Sequence, residues 1–495
     1  MYVFSKNTLL LWINSKFGLI LLILFFISFN NVNSYSQSLS KTLNNYINTY
    51  KKNKDVPSIS CGAIKDGKII WLGTSGYSDL ENRITANSKT LYRIASISKC
   101  ITAVAIIQLA SQNKIKLDDD ALKYLPDFPE KKWKFSIRQL LNHTAGIREY
   151  KDRSEFHSKE HFTSINEVLK YLEKDSLVYE PGTKYHYSTL GYNFLGAIIE
   201  NVSGLTYEEY VTRKIFEPAG IKNIKLDYQQ LIISNRSRGY SRDNFRKIIN
   251  APLADLSIKF PGGGFISNSE DLLLFSNALL TGVFFPKNWI DTLSVSVKLK
   301  NGSTQNYGLG FAINKDSKGR FYLSHSGQGT GFTTLLVIYP VEKIATVSLI
   351  NISDRKLESP ALDIADFLLG NEIKYPRKST ADYLFKLSSK ISIDSIYNLF
   401  KVIKSDSSKT YNSDDDELIN LGYDLINTKR TIDAIRLLRS FANENPTSTK
   451  TLAALADAYY NDGNEGMALK TYRQIIQLDP NHSYALKMIK KITGN

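Results

Sequence analysis

Tyr92-Arg93-Ile94-Ala95-Ser96-Ile97-Ser98-Lys99 runs straight into the apolar stretch Ile101 to Leu109. The spacing predicts a helix starting near Ser96, with Lys99 one turn on and on the same face. A serine hydroxyl is a weak nucleophile at neutral pH unless a base adjoins it, and a desolvated lysine amine can be that base. The amides at a helix N-terminus would also stabilise an oxyanion there. Spacing alone does not decide the matter, because Ser38-Lys41, Ser111-Lys114 and Ser353-Lys356 share it.

Strand patterns lie at both ends of the main part of the chain. Ser58 to Lys65 and Lys68 to Ser75 flank Asp66-Gly67, a two-residue hairpin signal. Tyr307 to Ile313, Arg320 to Ser324, Thr333 to Tyr339 and Lys343 to Ile350 follow far downstream, with helices between at Leu190 to Asn201, Tyr207 to Ile215 and Asp271 to Leu280. A helix over Leu39 to Lys51 precedes the strands and one over Pro360 to Leu369 follows them. This order predicts an α+β domain over 37–372: one antiparallel sheet assembled from both chain ends, flanking helices and a helical insertion.

The chain has 495 residues and a net charge of +15, with lysine and arginine scattered along it. Without clusters of basic and aromatic residues, a generally basic surface is expected and no nucleic-acid partner. Phe17 to Phe29 is apolar, preceded by Lys6 and Lys16, and Ser34-Tyr35-Ser36 offers small residues for cleavage. A signal peptide over 1–36 and a periplasmic or secreted protein are expected. Membrane contact would arise only if that segment were retained. Cys61 and Cys100 are the two cysteines, which excludes a disulfide framework; two buried free thiols are expected.

Residues 373–416 are rich in Lys, Ser and Asp and read as a linker with short helices. Beyond it, Leu421, Gly422, Leu425, Ala434, Leu438, Phe441 and Pro446 recur 34 positions on as Leu455, Ala456, Tyr459, Ala468, Tyr472, Ile475 and Pro480. That period is the tetratricopeptide signature of stacked helix pairs, here over 417–495, with Ser483 to Ile492 as a cap. The repeats are a candidate surface for a protein or peptide partner.

Three more segments single out Ser96: Leu140 to Ile147 around His143, Pro181 to Tyr192 around Tyr187, and Ser324 to Phe332 at a strand end. With the Ser96 segment, they resemble the serine β-lactamase and penicillin-binding-protein family, in its class C-like branch, over residues 38 to 370. The resemblance implies Ser96 as nucleophile, Lys99 as its proton-transfer partner and Tyr187 sharing the base role. It implies that His325-Ser326-Gly327 lines the cleft and that the amides of Ser96 and Gln328 form the oxyanion hole. It calls for no cofactor and no metal.

Tyr187-Ser188-Thr189 departs from the family's usual Tyr-x-Asn. Thr189, a candidate substrate-binding residue, keeps a hydroxyl but lacks the carboxamide's paired donor and acceptor. In this the chain resembles mitochondrial serine β-lactamase-like proteins more than antibiotic-degrading enzymes. The expected activity is hydrolysis through acyl-Ser96 of a peptide, a D-amino-acid peptide or an ester. The alternatives are a true β-lactamase and a silent binding protein that uses the repeats.

Two patterns are set aside. His157 to His161 spells His-x-x-Glu-His but lacks helical context and a third ligand. Pro261-Gly262-Gly263-Gly264 has no following Lys-Ser/Thr, so it reads as a tight turn near the cleft rather than a phosphate loop. His143 is expected to fix its loop.

Overall fold

The computed structural model describes residues 37–354, 356–406 and 408–494, so the expected signal peptide lies outside the described residues. Helix α1 (37–53) leads into β1 (Ser58–Lys65) and β2 (Lys68–Asp79). Between the strands Asp66 and Gly67 have φ of 47° and 77°, the left-handed pair that a tight hairpin requires. The short strand β3 (Ile84–Thr85) pairs with β2. Far downstream come β4 (Ala312–Lys315), β5 (Phe321–Gly329), β6 (Phe332–Tyr339) and β7 (Ile344–Ile350). The sheet order is β4-β5-β6-β7-β1-β2-β3, antiparallel throughout. Pairing of Ile59 with Ile350 through Lys65 with Ile344 closes the sheet from the two chain ends, as the strand pattern implied.

Both faces of β1 are buried, and its alternation sorts two cores. Helices α2 (Ser98–Ser111), α3 (Gly191–Ser203) and α4 (Ser269–Thr281) lie on the side that receives Ile64. Ile59, Cys61 and Ala63 pack instead with α1 and with Ile364 of α5 (Pro360–Leu368). Every residue of α2 from Ser98 to Ala110 is buried, which explains a continuous apolar run in place of an amphipathic one. Cys61 and Cys100 are free and buried.

Some boundaries differ from expectation. Tyr307 stands outside the strands, because Gly310 (φ 82°) turns the chain sharply before β4. The helix expected over Tyr207 to Ile215 is regular only to Val211 and then widens into a looser turn. Helix α4 is capped by Asn268, which accepts from the Asp271 amide.

The segment 373–416, expected to be a linker with short helices, forms α6 (Thr380–Leu387) and α7 (Ile393–Ser405). Leu384, Phe385, Ile396 and Phe400 join one core with the helices that follow, so this stretch belongs to the helical module. Most of its lysines and serines lie on the outer faces and mask the apolar stripe in a composition count. Then come α8 (Asp415–Asn427), α9 (Thr431–Glu444), α10 (Thr449–Asn461), α11 (Glu465–Leu478) and α12 (Ser483–Thr493). Helices begin at 415, 449 and 483, and at 431 and 465, each 34 residues after its counterpart. At Gly422 a Cβ would stand 2.7 Å from Leu438, so the glycine lets α8 and α9 approach closely. Among the described residues no helix is long and apolar enough to cross a membrane.

Candidate active site

Ala95 adopts φ 46°, a left-handed conformation that costs a non-glycine residue about 1 kcal/mol or more. This bend sets Ser96 in a tight turn, Ala95–Ile97, just ahead of α2, so the helix starts two residues later than expected. The Lys99 side chain is fully buried. Its Nζ lies 3.2 Å from Ser96 Oγ and donates to the Gly262 carbonyl at 2.7 Å and to Thr189 Oγ1 at 3.2 Å. Burial lowers its pKa to about 7, with the nearby Glu149 carboxylate pulling the other way. At neutral pH a large share of Lys99 is therefore the free amine, which can accept the Ser96 proton. The Gly-rich turn earns its glycine here: at Gly262 a Cβ would meet the Thr189 carbonyl at 2.6 Å, and the Gly262 carbonyl anchors the lysine.

Tyr187 is brought to the same spot. Its ring lies 4.8 Å from Lys99 Nζ and packs on His143 with centroids 4.2 Å apart. Burial pushes its phenol well above the usual range, and the Ser96 hydroxyl is the main group opposing that shift. A neutral phenol can relay or donate a proton, and the free amine of Lys99 can accept one. His143 takes left-handed φ 61° and accepts the Ser188 amide at Nδ1. Burial holds its pKa well below the ordinary value, so the ring serves as a neutral prop behind Tyr187.

Strand β5 forms the opposite wall. Gly327 is required there, because a Cβ would come within 2.3 Å of the Ile94 carbonyl. Its absence lets the strand run beside the Ile94–Ser96 turn, and Gln328 faces the hollow that holds Ser96. Ser326 is exposed at the cleft. His325 is buried, with Nδ1 2.7 Å from the Ser326 carbonyl and Nε2 2.9 Å from the Tyr307 hydroxyl. A carbonyl only accepts, so Nδ1 carries the proton and Nε2 accepts from Tyr307. Burial, aided by Lys99, lowers the His325 pKa to about 3, so the ring stays neutral.

Two charged residues escaped the sequence reading. Glu149 lines a cleft of about 400 Å³ together with Ser96 and Tyr187, and its carboxylate accepts the Thr189 amide. Burial raises its carboxyl pKa, and Lys99 is the foremost group opposing the rise. Lys259 is also buried, donates to the Phe156 carbonyl at 2.6 Å, and is brought by burial to a pKa of about 7. Neither sits in a recognisable spacing; only the loop around His143 hinted at buried polar groups. Thr189, expected at the substrate, lines the cleft with Ser96; its hydroxyl accepts from Lys99 and its amide donates to Glu149. The His-x-x-Glu-His pattern diverges in space, with His157 on Thr330 and His161 on Asp255.

An antiparallel sheet with a serine and a half-neutral lysine at its edge defines a serine hydrolase that works through an acyl-serine. The comparisons agree: residues 43–370 match the beta-lactamase family model, and the chain belongs to that family. It is 28% identical over 379 residues to the human serine beta-lactamase-like protein LACTB, mitochondrial, covering 58% of this chain and 69% of that protein. It is 29% identical over 323 residues to penicillin-binding protein 4* of Bacillus subtilis, covering 62% and 71%. Among solved structures, the octameric penicillin-binding protein homologue from Pyrococcus abyssi aligns with a TM-score of 0.58 at 25% identity, covering 71% of this chain and 81% of that one. The D-amino acid amidase from Ochrobactrum anthropi has the same fold, with a TM-score of 0.57 at 23% identity over 66% and 98%.

Proposed function

We propose that the protein is an exported hydrolase that cleaves amides or esters of amino acids, D-amino-acid peptides among them, through acyl-Ser96. The observation that carries this is the buried amine of Lys99, near neutrality in pKa and 3.2 Å from Ser96 Oγ. Lys99 takes the Ser96 proton as Oγ attacks the substrate carbonyl. Developing negative charge on the carbonyl oxygen falls between the turn bearing Ser96 and the Gln328 stretch of β5, whose amides are the oxyanion donors in this reading. The leaving group receives the proton from Lys99 or through the Tyr187 phenol, and water then reverses the sequence to free the acid. The test is covalent: a fluorophosphonate should form one adduct, and peptide mapping should find it on Ser96. An adduct elsewhere, or none, would overturn the assignment.

Glu149 narrows the substrate. A buried carboxylate on the cleft wall favours a substrate with a cationic amine, as a free α-amino group provides. Tyr185, Tyr187 and Tyr307 give the cleft apolar walls suited to a side chain. Glu149→Gln should raise KM for free-amino substrates about tenfold and leave N-acylated esters little changed. Because Glu149 opposes the fall in the Lys99 pKa, the variant should also move the acid limb of the pH profile lower. Equal KM changes for both substrate types would show that Glu149 does not recognise the amine.

The helical module, in this reading, is a tetratricopeptide-like arm supported by its 34-residue recurrence of helices. β-Lactam turnover is the weaker alternative, since Thr189 supports Lys99 in place of offering a carboxamide to a lactam.

A further inference from the structure

The hydrolytic half of the reaction needs a water beside Ser96 and a base to take its proton. Lys99 is committed to the first half. As the free amine it donates to the Gly262 carbonyl at 2.7 Å and to Thr189 Oγ1 at 3.2 Å, which leaves its lone pair for Ser96 Oγ at 3.2 Å. Lys259 immediately precedes the turn Phe260–Gly263, whose Gly262 carbonyl anchors Lys99. It is only 4% exposed, and among the described residues its Nζ makes one hydrogen bond, to the Phe156 carbonyl at 2.6 Å, and no ion pair. A free amine there keeps one N–H and its lone pair unused.

A hollow of about 30 Å³ lies beside Ser96, with Tyr150, Phe156, Thr189, Lys259 and Gln328 on its walls. The Lys259 Nζ stands 4.2 Å from the centre of the Phe156 ring and 5.1 Å from that of Tyr150, so the amine itself lies against two of those walls. That volume is too small for a substrate side chain beyond a methyl group. A water needs only about 10–15 Å³ and roughly two to four polar partners, and Lys259, Thr189 and Gln328 bring polar groups to the spot. We propose that this hollow seats the water that hydrolyses acyl-Ser96, and that Lys259 is the base that takes its proton. The proposal rests on the reading of Ser96 as nucleophile and makes Lys259 a further catalytic residue, reserved for deacylation.

One proton of the water passes to Lys259 Nζ as the oxygen bonds to the acyl carbon. The bond from that carbon to Ser96 Oγ then breaks, and Oγ takes the second water proton by way of Lys99. The acid leaves as its carboxylate, and Lys259 returns its proton to solvent. Burial, aided by Arg93 and Lys99 and opposed by Glu149, brings Lys259 to a pKa of about 7, so the amine form is present at neutral pH. Two further titratable groups face it, and both are neutral there: burial raises the Tyr150 phenol, and burial together with the Lys259 charge lowers the His157 ring.

The test follows p-nitrophenyl acetate by stopped flow, with the acyl-enzyme read by intact mass spectrometry and mapped to its residue. Lys259→Met should acylate within about threefold of the wild type, release a stoichiometric burst of nitrophenol, and clear the Ser96 adduct about a hundredfold more slowly, low in the range for a positioned base. Gly263→Ala narrows the hollow without removing the amine. Gly263 is on its wall, and a Cβ there would lie 3.7 Å from Lys259 Cδ and 3.9 Å from Thr189 Cγ2, ordinary contacts that the fold accommodates. This variant should clear the adduct slowly as well, and it decides the matter where Lys259→Met does not fold. Clearance at the wild-type rate in Gly263→Ala or in folded Lys259→Met, or equal slowing of acylation and clearance, overturns the role of the hollow and Lys259 alone. Nitrophenol release by Ser96→Ala at the wild-type rate overturns the acyl-Ser96 reading, and the proposal with it.

Discussion

Lys99→Met is expected to slow acylation of an ester or amide about a thousandfold, within the range that a positioned base contributes. Lys99 lies within hydrogen-bonding reach of Ser96 Oγ, and burial brings its pKa to about 7. In the proposed role the active form is the neutral amine. Wild-type kcat/KM should therefore rise about tenfold per pH unit below pH 7 and level off above it. The methionine variant should lose that limb along with the rate. Tyr187→Phe should cost less, because a phenol held neutral by burial is not the base. An unchanged acid limb in Lys99→Met would assign the base to another group.

The same burial separates this loss from unfolding. The lysine pKa falls from 10.5 in its ordinary state to about 7 in the fold, so between those values the unfolded chain keeps a proton that the native protein has lost. Stability attributable to Lys99 is complete above the upper value and is lost as pH falls toward the lower one. Methionine has no charge to bury. At pH 6 the variant should thus need at least as much urea to unfold as the wild type, despite its inactivity. A large fall in the urea midpoint would mean that the Gly262 and Thr189 hydrogen bonds outweigh the charge penalty.

Much of this site could be read before the fold was known, for reasons that differ from residue to residue. The Asp66-Gly67 hairpin announced itself because two left-handed residues have strong sequence preferences. Ser96 and Lys99 lie one turn apart, so local geometry brings them together wherever a helix starts nearby. Ala95 gave no warning, since alanine carries no preference for the left-handed bend it adopts; tertiary packing of β5 against the turn imposes it. Glu149 was hidden for another reason: its chemistry depends on burial beside Lys99, and no spacing encodes contact between a loop and a helix that are fifty residues apart in the chain. The segment 373–416 misled because polar composition says little about which face of a helix is apolar.

Asp227→Ala is expected to cost about 3–5 kcal/mol of stability, the usual loss when one partner of a buried ion pair is removed. Asp227 is fully buried, with Oδ2 2.6 Å from Arg93 Nε and Oδ1 3.1 Å from Arg236. Without it two guanidiniums face one another with no carboxylate between them. The location makes the effect functional as well. Arg93 is two residues before Ala95, and its backbone pairs with Ile266 on the strand Phe265–Ser267. Together these contacts hold the approach to the Ser96 turn. Arg93 already depresses the pKa of Lys259, and freeing its charge should extend that field toward Lys99. The acid limb of the pH profile should then move lower in whatever fraction stays folded. The paired change Arg93→Met with Asp227→Leu removes two of the three charges and the repulsion between the guanidiniums, leaving only the part-exposed Arg236 without its carboxylate, so it should recover part of the urea midpoint. Recovery of stability without recovery of rate would show that Arg93 positions the nucleophile's turn. A loss under about 1 kcal/mol in Asp227→Ala would mean instead that water reaches the arginines and that the pair is no anchor.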